Sequence, residues 1–392
     1  MARQYSPKTF LRQTPNAILK AYFAKRDALG DIDFDNLGET NVDPIMQAVE
    51  VLPSGDQTKI EADFRAVNEM ACAAGTRAIL EEAEFHGKGW ADPFEAMRNH
   101  YERAFWTFLG EPDIFRVASC FRDMDRLGAW RHRFVGRNLK PAVDKSDLAL
   151  LARDVSAHFA KEGRGHHCYV DNYLRRNPER HCYFVYPEDY ATTDMEFDEA
   201  GQFEERARKP AFEIIFVYRP EEGLLEVSAA GKKEQVDRLM EVFGQTILGL
   251  SCLPDEKEEP AFDLSGLKDR NFNFKTDPAD GVESVTVRRL RLDLPGKSRR
   301  RIILEASATA QKPKALYDLL DAAVNKQNVP LDTLVVSQAK LRFGFRAQSG
   351  QRAKTLTFEV SIPDRCTLKD DAHDQIAKKY LRIWKLARER DA

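Results

Sequence analysis

Imidazoles and thiols gather in one stretch of this 392-residue chain: His166, His167 and Cys168, then His181 and Cys182. These are the side chains that ligate zinc. Between them Asn177 and Pro178 carry turn chemistry, so the stretch reads as a β-hairpin. A turn there sets His181 opposite Leu174, and at ~3.3 Å per residue His167 and His181 stand roughly 20 Å apart. That span is too wide for one ion, and no metal is expected. The same register sets His167 opposite Glu188 and His166 opposite Asp189, while strand alternation puts Asp171 on the face of His167. A histidine beside a carboxylate can move protons in a cleft. His167, Asp171 and Glu188 are therefore the catalytic candidates, against the simpler alternative of a surface pair without a role.

Ser228 to Lys233 resembles a strand entering a helix through a phosphate-binding turn. The full loop needs Gly five positions before the Gly231-Lys232 pair, where Glu226 stands, and Ser or Thr where Lys233 stands. A nucleoside triphosphate is not expected, although helix-start amides can hold an anion. No dinucleotide fingerprint, nucleophile elbow or zinc-protease helix is present. No cofactor is expected, and the balance points away from an enzyme.

Charge is the stronger signal. Residues 281 to 392 hold 23 Lys and Arg against 13 Asp and Glu, whereas residues 1 to 280 hold 37 against 50. The whole-chain net of -3 conceals that split. Cations on a sheet face can track phosphates through counterion release, which nominates Arg289, Arg291, Arg299, Arg301, Lys340, Arg342 and Arg346. The segment Trp130 to Lys140 interleaves cations with aromatics and adds Arg131 and Arg133 as single-strand contacts. Phe343, Phe345 and Phe358 fall on the core side, which leaves backbone contact rather than base stacking. The alternatives are a solvated basic face and cations docked on the chain's own acidic part. A helix-turn-helix around Gly110 is disfavoured, because its second helix offers mainly Phe115, Val117, Cys120, Phe121 and Met124.

The elements that position these groups follow from periodicity. Apolar stripes at helical spacing run through residues 1 to 163, including Ile60, Phe64, Val67 and Ala71. Small residues at Ala71, Ala74 and Gly75 allow a second helix close approach. Residues 164 to 252 turn to period two, with strand pairs at 167–174 and 183–186, then at 212–218 and 224–229, and a packed helix after Gly231. Residues 253 to 283 are an acidic linker whose phenylalanines should be pinned against a neighbour. Residues 284 to 392 read strand, strand, helix, twice over, either as two halves or as one continuous sheet. The fold class is α+β: an N-terminal helical region, a central antiparallel sheet with a packed helix, and a C-terminal ββαββα-like basic module.

At 43% hydrophobic residues the chain can bury a full core. The N-terminus lacks a basic segment followed by an apolar run, and no apolar stretch is long enough to span a bilayer. Six scattered cysteines point to reduced thiols in the cytoplasm. The expectation is a non-enzymatic binding protein that contacts a DNA or RNA backbone through its basic C-terminal domain, with no membrane partner. The alternatives are an adaptor or subunit that meets another protein chain, and an enzyme with a His/carboxylate site on the central sheet.

Overall fold

The computed structural model describes residues 5–128, 130–198, 201–255, 261–295, 300–308, 312–324, 329–347, 353–363 and 365–388. The chain divides into two compact units, one of Met1–Arg131 with Arg137–Leu253, the other of His132–Gly136 with Pro254–Ala392.

The first unit opens with α1 (Pro7–Gln13), α2 (Asn16–Lys25), α3 (Asp43–Glu50), α4 (Ser54–Met70), α5 (Ala73–Phe85), α6 (Ala91–Ala96), α7 (His100–Gly110) and α8 (Pro112–Met124). Pro7, Pro44 and Pro112 occupy first turns, where an absent N–H loses no helical bond. Asn99 caps α7 by accepting the Glu102 amide. The helices close on buried rings, with Phe10 and Phe64 stacked at 4.6 Å and Tyr22 and Phe105 at 5.2 Å. Gly75 makes the α4–α5 junction possible: a Cβ there would stand 2.1 Å from the Met70 carbonyl oxygen.

After β1 (Arg131–Phe134), of which residues 132–134 belong to the second unit, and α9 (Lys145–Ala160) come β2 (Cys168–Arg175), β3 (Arg180–Pro187), β4 (Thr192–Phe197), β5 (Phe203–Arg208), β6 (Ile214–Arg219), β7 (Leu224–Ser228) and α10 (Lys233–Thr246). Strands β7, β6, β3 and β2 lie side by side in that order, all antiparallel. His181 pairs with Leu174 and Cys168 with Pro187, the register that a turn at Asn177-Pro178 requires. The sequence suggests one helix-covered face, but β3 and β6 are buried almost throughout and need cover on both. Val117, Phe121 and Met124 of α8 meet Cys182, Phe184, Ile215 and Val217 on one side. On the other, Phe243 of α10 meets Tyr183 at 5.0 Å and Phe216 at 4.8 Å.

One buried cation ties the helices to this sheet. Arg175, at the end of β2, reaches Glu81 of α5 at 2.6 Å and Asp125, just past α8, at 2.8 Å, with its side chain 7% exposed. These carboxylates hold its charge despite the burial.

The second unit contains β8 (Val282–Asp293), β9 (Arg301–Glu305), α11 (Ala315–Ala323), β10 (Val335–Phe345), β11 (Thr355–Ser361), β12 (Arg365–Cys366) and α12 (Ala372–Ile383). The sheet order β12-β11-β10-β8-β9 joins the two hairpins through β8 and β10 into one sheet. Leu290, Leu292, Leu341, Phe343 and Phe358 form its apolar face, covered by Leu316 and Leu320 of α11, Tyr380 of α12 and Trp384 just past it. Two irregularities reset the alternation expected from sequence. Arg288 is an extra residue in β8, so Val287 and Leu290 both turn inward. Ser337 is an extra residue in β10, so Val336 is buried and Val335 is 53% exposed. Leu264 and Leu267 are buried in this core, with Phe262, Phe272 and Phe274 packed on it.

Gly75→Ala must displace backbone, so it should destabilise the first unit by about 1–3 kcal/mol. Gly55→Ala, with nothing within 4 Å of the new methyl group, should shift stability by less than about 1 kcal/mol. Denaturant melts of the two variants check this, and equal midpoints would contradict it.

Candidate functional site

The His/carboxylate candidates lie just before β2 (His167), on β2 (Asp171) and just beyond β3 (Glu188). His167 Nε2 stands 3.9 Å from Glu188 Oε2, with the histidine side chain 89% exposed. Glu188 is also bound by Lys209 at 2.9 Å, whose hydrogen bond holds that carboxyl below its ordinary range. Asp171 lies four residues along the strand from His167, a distance of about 13 Å. It accepts hydrogen bonds from Tyr169 at 2.7 Å, Tyr173 at 3.0 Å and Arg116 at 3.4 Å. The structure thus brings His167 to Glu188 and engages Asp171 elsewhere. Among the described residues no three His, Cys, Asp or Glu converge as a metal site. At the start of α10 the Lys232 amide is taken by Gln235 Oε1 at 2.9 Å.

The polar face of the C-terminal sheet has an ordered charge pattern. Register aligns Glu359, Lys340, Arg289 and Glu305 in one row across four strands. Arg289 reaches Glu305 at 2.8 Å and Glu359 at 3.2 Å, while Lys340 stands 3.6 Å from Glu359. Arg291 gives its Nε to Ser337 Oγ at 2.8 Å and lies 3.9 Å from Asp293. Three sheet-face cations therefore already have partners. Arg346 is exposed, with Glu283 at 4.0 Å. Arg301 is exposed and Arg342 half-buried, and neither has an ion pair among the described residues. Arg131 is exposed at the start of β1, while Arg133 donates Nη2 to the Pro254 carbonyl at 2.8 Å. Arg299 lies outside the described residues.

A feature that the sequence reading passes over is the β4–β5 hairpin. It forms a two-stranded sheet of its own, and every residue of β5 is exposed. Alternation gives it two unlike faces. Asp194, Glu196, Glu204, Arg206 and Arg208 share one, where Arg206 pairs with Glu196 at 3.2 Å and Arg208 with Asp194. Thr193, Met195, Phe197, Phe203, Glu205 and Ala207 share the other. There Met195 is 74%, Phe197 72% and Phe203 59% exposed, the two rings 5.7 Å apart. Glu205 has no ion pair among the described residues. The legible signal was Met195 and Phe197 at period two before a Gly201 turn.

The root of this arm is anchored. Arg164 lies 4.8 Å from the Phe159 ring, 4.6 Å from Phe212 and 5.4 Å from Tyr190. It also pairs with Glu162 at 2.9 Å and Asp189 at 3.1 Å. Tyr190 donates its hydroxyl to the Glu162 carbonyl at 2.6 Å, and Asp189 N bonds Pro210 O at 2.7 Å.

A cleft of about 420 Å³ opens where α8 leaves the central sheet, lined by Phe108, Phe115, Arg116, Cys120, Tyr186 and Glu213 among others. Burial pushes the Cys120 thiol up to about 11. Burial and the neighbouring Glu213 also raise the Tyr186 phenol. Burial and its bond to Asp171 push Tyr173 up to about 12. Cys120 and Tyr186, which line the cleft, stay protonated near neutrality, so it offers hydrogen-bond donors and no thiolate nucleophile.

A scan against protein-family models and a search of curated proteins found no match to this chain. No helix among the described residues is long and apolar enough to cross a membrane.

At the start of α12, Asp371 caps the helix by accepting the His373 and Asp374 amides, each at 3.2 Å. Asp374 is 5% exposed, and burial, followed by Asp371, pushes its carboxyl up from 3.8 to about 6. A carboxyl raised on folding contributes stability that is complete below its unfolded value and lost as pH rises through its folded one. The second unit should therefore lose stability between about pH 4 and pH 6 through this group. Asp374→Asn should raise the melting temperature at pH 7 and leave it nearly unchanged at pH 4. An equal shift at both pH values would contradict this assignment.

Proposed function

We propose that the protein is a non-enzymatic binding subunit that docks onto another protein chain through the apolar face of the β4–β5 arm. One observation carries the proposal: Met195, Phe197 and Phe203 are exposed side by side on a hairpin whose root is tightly held. An isolated hairpin is marginal in water, and burial of each of these side chains is worth about 2 kcal/mol before association costs. Glu205 lies amid that apolar face, so the matching surface is an apolar groove with a lysine or arginine at its edge. Both arm strands also have an open edge, which suits strand addition.

The test is the mass, by light scattering, of the tagged full chain purified gently from its native cells. Wild type is expected in a species of defined stoichiometry above monomer mass. Phe197→Ser with Phe203→Ser, and separately Glu205→Lys, should reduce it to monomer without shifting the melt, since these side chains are exposed. A monomeric wild type, or variants that assemble like it, would contradict the proposal.

A second reading keeps a nucleic-acid backbone as the ligand of the C-terminal unit. It is supported by the 23 cations against 13 anions of residues 281–392 and by Arg301 and Arg342, which have no carboxylate partner among the described residues. Arg289 and Lys340 are held by Glu305 and Glu359, so these carboxylates should act as a brake. Glu305→Gln with Glu359→Gln should tighten binding to single-stranded DNA or RNA at low salt and steepen its salt dependence. Binding absent in both proteins, or indifferent to salt, would remove this reading.

A further inference from the structure

The cleft beside α8 is distinct from the arm and from the C-terminal sheet, and it has its own charge logic. Its volume of about 420 Å³ lies in the range of small-molecule sites. Phe115 meets Phe108 edge-on at 5.2 Å, and together with Met124 they form an apolar wall. Tyr186 and Glu213 line the same cleft, and the Glu213 charge helps to raise the Tyr186 phenol.

The cleft's ionised groups are not equally free. Arg116 is bound by Asp171 at 3.4 Å and by the Tyr173 hydroxyl, and its guanidinium lies 5.6 Å from the Tyr173 ring centre. Asp123 pairs with Arg122 at 2.6 Å. Glu213 is exposed and has no cationic partner among the described residues. The uncompensated charge of the cleft is therefore one carboxylate beside aromatic rings, with a thiol and a phenol that remain neutral donors.

We propose that this cleft binds a small organic cation, an ammonium head on an aryl or alkyl body. The head meets Glu213 and the face of Tyr186, and the body lies against Phe108, Phe115 and Met124. A carboxylate with flanking rings suits such a head by direct pairing and by attraction to the ring faces. An organic anion of the same shape would meet Glu213 as a like charge.

Calorimetric titration of the full chain with phenethylammonium, phenethyl alcohol and phenylacetate separates the contributions. The ammonium should bind saturably, the neutral alcohol about tenfold more weakly or worse, and phenylacetate not measurably. Glu213→Gln should reduce the ammonium to the level of the alcohol while leaving the unliganded melting temperature unchanged, because Glu213 is exposed. No saturable heat from the ammonium, or equal affinity in wild type and Glu213→Gln, would overturn the proposal. The arm variants Phe197→Ser and Phe203→Ser should bind phenethylammonium like wild type, so failure of this site and failure of the docking surface are told apart.

Discussion

A guanidinium held among three aromatic rings and two carboxylates fixes the part of the molecule on which the account turns. Arg164 follows α9, and its partners Phe159, Glu162, Asp189, Tyr190 and Phe212 come from the end of α9, the exit of β3 and the approach to β6. It thereby joins the point where the chain leaves the central sheet for the arm to the point where it returns. A cation in such a setting keeps its charge because carboxylates and ring faces replace the water it gives up. The arm beyond it has no comparable support. Its charged face is tied by Arg206 and Arg208, and its other face shows Met195, Phe197 and Phe203 to solvent. A firm root and an uncovered apolar face are the two features on which the proposed docking rests.

The same constraint, that cations inside the fold must find counter-charges, governs the rest of the molecule. Arg175 needs Glu81 and Asp125, and in meeting them it seats α8 on the central sheet. The C-terminal sheet answers the constraint by register, setting Glu359 and Glu305 at the flanks of Lys340 and Arg289. The positive balance of residues 281–392 is a real property of the chain, yet much of it on the sheet face is matched at a distance of a few ångströms. Composition alone therefore overstates the field that a phosphate backbone would meet.

Much of the fold was legible. Period-two runs marked β2, β3, β6, β7, β8 and β10, and Asn177-Pro178 set the register that brings His167 to Glu188. Pro15, Pro44, Pro93 and Pro112 marked the starts of α2, α3, α6 and α8. What escaped has physical reasons. The extra residues Arg288 and Ser337 shift the strand phase locally, which no alternation rule foresees without the partner strand. The cover of the central sheet by α8 depends on contacts between distant segments. The arm was missed because charged residues outnumber apolar ones in it, and a solvent-exposed hairpin lacks the strong hydrophobic alternation of a core strand. The cleft was missed for a different reason: Phe108, Arg116, Tyr186 and Glu213 come from separate elements, and none is unusual in its own neighbourhood.

The most direct measurement places a photoreactive side chain singly at Met195, on the apolar face of the arm, or at Glu204, on its charged face, in the full chain expressed in its native cells. The account predicts an efficient, discrete protein crosslink from position 195 and little from position 204. Crosslinking that is absent from position 195, or equal from the two faces, would contradict it.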